Sequence, residues 1–104
     1  MPPVISPRRY PEMEGKVALV TGGTSGIGLA TAQAFANEGA IVVIASRNEK
    51  RSKTALETIK GRVSWIGCDV SDGKRVAKLI ASILERHGRL DYAFNNGEIG
   101  RAHV

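Results

Sequence analysis

Four short apolar runs alternate along the chain with three segments of helical character. Val17-Ala18-Leu19-Val20 stops at a glycine cluster and reads as a first strand. Ile27 to Glu38 has helical composition and is closed by Gly39, and its small residues Ala30, Thr31 and Ala34 are expected to face a sheet. Ala40 to Ala45 is apolar on both alternating faces, the pattern of a central strand covered on both sides. Asn48 suits the N-cap of a basic helix expected to run to Lys60, with Gly61 closing it. Val63 to Ile66 reads as a third strand. Ser71 or Asp72 then caps a helix striped by Val76, Leu79, Ile80, Ile83 and Leu84 and ending at His87-Gly88. Leu90 to Phe94 is the fourth strand.

Strict strand–helix alternation predicts an α/β fold built on a parallel sheet with right-handed crossovers. The expected strand order is 3-2-1-4, with one helix on one face and two on the other, as in the first half of a doubly wound Rossmann-type domain. The fourth strand is then an apolar edge, able to pair with another chain.

The glycines Gly22, Gly26 and Gly28 fall between the first strand and the first helix. Such a turn presents main-chain N–H groups and the positive end of a helix dipole to an anion. Gly22 permits the tight turn, Gly26 lets a pyrophosphate approach the main chain, and Gly28 lets helix and sheet pack closely. No Gly-Lys-Ser/Thr follows, so a mononucleotide phosphate loop is a poor match and a dinucleotide the better one. A structural turn uses the same glycines. About twenty residues further on, where an acid would hold the adenosine ribose of NAD, the chain reads Ala45-Ser46-Arg47-Asn48. An arginine there suits the 2′-phosphate of NADP(H), which is expected to be preferred over NAD(H); a plain surface charge is the competing reading.

Composition bounds the rest. The chain has 104 residues, 42% of them hydrophobic and 24% charged, which is enough for one globular domain with a core. All four prolines lie in the first eleven residues, so residues 1–14 are expected to be a loose Pro-rich arm and 15–104 the folded domain. The lone Cys68 cannot form an internal disulfide, no apolar run approaches a membrane span, and no apolar segment follows Arg8-Arg9 as an export signal requires. A cytoplasmic location, with no membrane partner, follows as the expectation. One cysteine with His87 and His103 gives no metal-site spacing. The net charge of +5 raises nucleic acid, but the six basic residues from Arg47 to Arg62 lack interleaved aromatics and read as a solvated helix face; no nucleic-acid partner is expected.

These residues resemble the short-chain dehydrogenase/reductase family. Thr21-Gly22-Gly23-Thr24-Ser25-Gly26-Ile27-Gly28 reproduces its Thr-Gly-x-x-x-Gly-x-Gly signature, and Cys68-Asp69-Val70, Leu90-Asp91 and Asn95-Asn96-Gly97 resemble its later motifs. The resemblance covers about Lys16 to Gly100. It implies that Thr24, Ser25 and Ile27 lie along the cofactor's diphosphate and adenosine side, and that Ser46 and Arg47 face the 2′-phosphate. It further implies that Asp69 accepts from the adenine amino group, Val70 packs on the ring, Asn95 ties neighbouring strands, and Gly97 passes close to the cofactor. Taken singly, Asp69 also reads as a turn acid and Asn96-Gly97 as a tight turn.

Two departures from that family are visible. Its Asn-Asn-Ala-Gly is here Asn95-Asn96-Gly97-Glu98: either Gly97 is the motif glycine, or Ala and Gly have become Gly97 and Glu98. Its catalytic Ser and Tyr-x-x-x-Lys are missing, since the only tyrosines, Tyr10 and Tyr92, are followed four residues later by Glu14 and Asn96. The expectation is the cofactor-binding half of an oxidoreductase, a shortened or frameshifted product or a half-enzyme, inactive alone. The alternative is a non-catalytic interaction module. Either can self-associate, or pair with a homologue or a missing half, through the fourth strand.

Overall fold

The apolar runs form a four-stranded parallel sheet in the order β3-β2-β1-β4, the expected topology. The computed structural model describes residues 13–22, 24 and 26–95. The elements are β1 (Val17–Thr21), α1 (Gly26–Asn37), β2 (Ile41–Ser46), α2 (Glu49–Thr58), β3 (Arg62–Gly67), α3 (Gly73–His87) and β4 (Tyr92–Asn95). β1 is buried along its whole length and β2 nearly so, because each lies between two strands and beneath helices on both faces.

Alternation along the strands splits the core in two. Val17, Leu19, Val43 and Ala45 meet Leu79 and Ile83 of α3, with Cys68 buried beside them. Val20, Val42 and Ile44 point the other way and meet Ala32 and Ala36 of α1 and Ala55 of α2, with Ile59 beyond it. So α3 alone covers one face and α1 with α2 the other, as expected. Tyr92 and Phe94 of β4 lie on the α1 side, where the Tyr92 ring stacks on Phe35 with centroids 5.9 Å apart.

Local chemistry sets the helix ends. The Asn48 side chain accepts from the Arg51 amide at 2.8 Å, and Asp72, one of the two expected caps, accepts from Lys74 N at 2.9 Å. α3 closes at left-handed Gly88 with Arg86 in its last turn, where a cation complements the dipole.

Two expectations are corrected here. The buried face of α1 is Gly28, Ala32 and Ala36, whereas Ala30 and Ala34 are exposed and Thr31 half-buried. Leu29 and Phe35 flank the true inner stripe, and their burial selects that rotation of the helix. Gly61 does not close α2, which stops at Thr58 with Ile59 already extended. Gly61 instead passes against α1 with φ +129°, where an added Cβ would stand 2.9 Å from Ala36 Cβ. Gln33 fixes this crossing: its side-chain amide donates to the Lys60 carbonyl and accepts from the Lys60 amide, both at 3.1 Å.

At the opposite edge Asp91 fastens β4 to β1. Its amide donates to the Val17 carbonyl at 2.9 Å, its carboxylate accepts from the Val17 amide at 2.9 Å, and Arg89 grips the same carboxylate at 2.8 and 3.0 Å. Of the arm expected over residues 1–14, only Met13 and Glu14 are described. There Met13 accepts from the Lys16 amide, and Glu14 pairs with Arg62 at 3.3 Å.

Candidate cofactor-binding site

Parallel strands bring all their carboxyl ends to one edge of the sheet, and the turns that follow β1, β2 and β3 meet there around an open cleft of about 840 Å³. Gly22 and Thr24 line it from the first turn, Ala45 to Asn48 and Arg51 from the second, and Cys68 to Ser71 from the third. Six of the residues singled out in the sequence are thereby brought together: Gly22, Thr24, Ser46, Arg47, Asp69 and Val70. Gly26, Ile27 and Gly28 form the adjoining start of α1, with Gly28 buried and Ile27 70% exposed. Asn95 stands at the end of β4 opposite Thr21, whose hydroxyl donates to the Phe94 carbonyl at 3.4 Å and lies 3.5 Å from Asn95 Oδ1. Ser25 and Gly97 lie outside the described residues, as do Asn96 and Glu98.

Open space surrounds the glycine that starts α1. Gly26 has φ +58°, a conformation costly for a side chain, and a Cβ built on it would meet nothing within 4 Å. α1 begins at this residue with no acidic side chain in its first turn, so nothing there counters the positive end of its dipole. Gly22 anchors the turn by donating its amide to the Ala45 carbonyl at 3.1 Å, which also ties the first turn to the second.

The second turn is held from within by a hydroxyl relay. Ser52 is completely buried on α2, and its Oγ lies 2.7 Å from the Asn48 carbonyl, which can only accept. The Ser52 proton is therefore committed, and in the contact between Ser46 Oγ and Ser52 Oγ the donor must be Ser46. Trp65 of β3 completes the set: its Nε1–H points at Ser46 Oγ at 3.1 Å and at the Ser46 carbonyl at 3.2 Å. Ser52 and Trp65 carry no motif. Their roles depend on β2, β3 and α2 meeting in space, a relation that spacing along the chain does not encode.

The third turn presents a carboxylate. Asp69 Oδ1 accepts from the Ser71 hydroxyl at 2.6 Å and the Ser71 amide at 3.1 Å. These bonds, aided by the positive fields of Arg47 and Arg75, hold its carboxyl below the usual carboxylate range. Asp69 is thus an ionised acceptor at neutral pH, with no hydrogen bond to its second oxygen among the described residues. Burial, reinforced by the negative field of Asp69, pushes the neighbouring Cys68 thiol up, and Cys68 stays a protonated wall residue.

The cleft therefore offers the amino end of α1 beside its first turn, arginines at the second turn and a carboxylate at the third. That donor and acceptor set fits a nucleotide carrying phosphates beside an adenine amino group. Asn48, Cys68 and Ser71, read in the sequence as cap or motif positions and not as binding residues, also line the cleft, as does Arg51, which was read only as part of a basic helix face. For Arg51 a signal existed, since an Asn48 cap places it in the first turn of α2, close to Arg47.

The chain resembles known proteins over most of its length. The chain is 41% identical over 90 residues to tropinone reductase-like 2 of Erythroxylum coca, a match covering 86% of this chain and 33% of that protein. It spans about a third of the length of the curated relatives it matches. Among solved structures, a metagenomic short-chain oxidoreductase in complex with NADP superposes with TM-score 0.78 at 32% identity, covering 83% of this chain and 40% of that one. The actinorhodin polyketide ketoreductase with NADPH gives TM-score 0.74 at 37% identity, over 78% of this chain and 32% of that one. Residues 16–104 match the family model described as short chain dehydrogenase, and the chain belongs to that family.

Proposed function

We propose that this chain is the NADP(H)-binding portion of a short-chain dehydrogenase/reductase-type oxidoreductase, with NADP(H) preferred over NAD(H). The observation that carries the reading is the second turn, where Ser46-Arg47-Asn48 holds an arginine and no acid, and Arg47 lines the cleft with no salt-bridge partner among the described residues. A planar guanidinium pairs with a 2′-phosphate, whereas a carboxylate there would repel it. In this reading the Gly22–Gly28 turn, with Thr24, Ser25 and Ile27, lies along the diphosphate. Ser46 and Arg47 border the 2′-phosphate, and Asp69 accepts from the adenine amino group while Val70 packs on the ring. Asn95 ties β4 to β1 and Gly97 passes near the cofactor. When bound, the nicotinamide supplies hydride chemistry. The catalytic Ser and Tyr-x-x-x-Lys that such chemistry uses in this family are missing from this sequence, and the chain alone is inactive in this reading. Its setting is the cytoplasm.

Titration with NADPH and NADH tests the reading. NADPH should bind roughly tenfold tighter or more, taking about 1.5 kcal/mol for one charge-assisted hydrogen bond. Arg47→Asp should reverse the preference. Equal binding of the two cofactors, or an unchanged ratio in the variant, overturns the assignment of Arg47. Steady carbonyl reduction by the chain alone overturns the inactivity.

A second reading is favoured by β4, which forms a sheet edge with Tyr92, Ala93 and Asn95 exposed. Here the chain is an interaction module or half-enzyme that adds a strand from a homologue, a second copy or a missing half at that edge. Gel filtration decides: a monomer that captures no homologue sinks this reading.

A further inference from the structure

A 2′-phosphate is an acceptor that needs several donors, and the second turn has few to give. Ser46 spends its only proton on Ser52, and Ser52 spends its own on the Asn48 carbonyl. Because its proton goes to Ser52, Ser46 has no hydrogen left for an anion unless the relay breaks and Ser52, fully buried, loses its donor; the Ser46 Oγ also accepts from Trp65 Nε1. Asn48 commits its side-chain oxygen to the Arg51 amide and keeps only a neutral amide nitrogen. The charged donors lining the cleft are Arg47 and Arg51.

Arg51 is otherwise unemployed. Arg62, Arg75 and Arg89 are each paired to a carboxylate, while Arg51 has no such partner among the described residues. The nearest acid in sequence, Glu49, is turned to Lys53 at 3.3 Å. The Arg51 main-chain amide is pinned by Asn48 Oδ1, which fixes where its side chain departs from the first turn of α2. We infer that Arg51 is the second donor to the cofactor's 2′-phosphate, forming a two-guanidinium clamp with Arg47, and that the Ser46 hydroxyl braces the turn instead of donating to the anion. This rests on the NADP(H) reading above and assigns a further specificity-determining residue within it.

The test titrates the full chain with NADPH, NADH, adenosine 2′,5′-bisphosphate and 5′-AMP. Arg51→Gln is expected to weaken the two 2′-phosphorylated ligands about tenfold, the scale of one charge-assisted contact, and to leave NADH and AMP within about twofold. Arg51→Lys, which keeps the charge and loses the fork, should fall between Arg51→Gln and the parent chain. Arg86→Gln removes the same charge ~20 Å away along α3 and should change none of the four. A uniform loss across all four ligands in Arg51→Gln, or an effect no larger than that of Arg86→Gln, overturns the clamp. If the parent chain does not discriminate NADPH from NADH, the NADP(H) reading itself falls. If it discriminates and Arg51→Gln discriminates equally, the clamp alone falls.

Discussion

Replacing Gly61 with alanine should be among the most damaging single-methyl changes in this chain. Two independent costs meet there. The residue has φ +129°, a region L-residues rarely enter, at about 1–3 kcal/mol. The new Cβ would also stand 2.9 Å from Ala36 Cβ, and overpacking of that kind costs a further ~1–3 kcal/mol. The backbone has little room to retreat, because Gln33 holds both polar atoms of Lys60 one residue earlier. The combined loss, about 2–6 kcal/mol, is a large part of the 5–15 kcal/mol typical of a domain. Urea unfolding followed by circular dichroism measures it, and a double-mutant cycle with Ala36→Gly separates the two costs. Ala36→Gly alone should cost about 1–2 kcal/mol, from helix propensity and a lost buried methyl. In the double variant the overlap disappears and the strain remains, so the sum of the singles should overshoot by about 1–3 kcal/mol. A Gly61→Ala cost below about 0.5 kcal/mol refutes the reasoning outright. Additivity within about 0.5 kcal/mol refutes the overlap.

Ile83→Ala should cost about 2–5 kcal/mol, because Ile83 is fully buried in the one helix covering its face of the sheet. Leu84→Ala, one residue on and 47% exposed, should cost less than about 1 kcal/mol; equal urea midpoints for the two would contradict that packing. Asp91 is held below the usual carboxylate range by its bonds from Arg89 and from the Val17 amide, so the unfolded chain takes up this proton first. Its contribution is present at neutral pH and is lost as pH falls through about 4 and below. Asp91→Asn should flatten that part of the stability profile, and an unchanged acid slope would remove Asp91 from it. The buried Cys68 thiol, with its raised pKa, should alkylate far more slowly at pH 8 than in urea-unfolded chain; matching rates would show it open to solvent.

The contrast between Gly61 and Ile83 marks what could be read from residues alone. The stripe of α3 mixes large apolar and charged residues, so its phase is unambiguous and its buried pair falls where expected. α1 carries small residues on every side, which identifies a helix pressed on a sheet but leaves its rotation open; Ala30 and Ala34, expected inside, lie a half-turn away from Gly28, Ala32 and Ala36, and Thr31 lies at the border. A glycine was expected to matter at position 61 as a helix terminator, yet the requirement comes from a neighbour 25 residues away in sequence. In the cleft, Gly22, Ser46, Arg47 and Asp69 were legible because strand ends in a parallel sheet must share an edge. The Ser46–Ser52–Trp65 relay was not, because it exists only once β3 has docked beside β2.

The clasp between Asp91 and Val17 joins residues 74 positions apart, whereas β1 finds β2 after only 24, at Ile41. Closing the longer loop costs roughly 1 kcal/mol more chain entropy than the shorter one. β4 is consequently the last strand to zip onto the sheet and the first to peel away, so amide protons bonded along the β1–β4 seam should exchange with solvent sooner than those between β1 and β2.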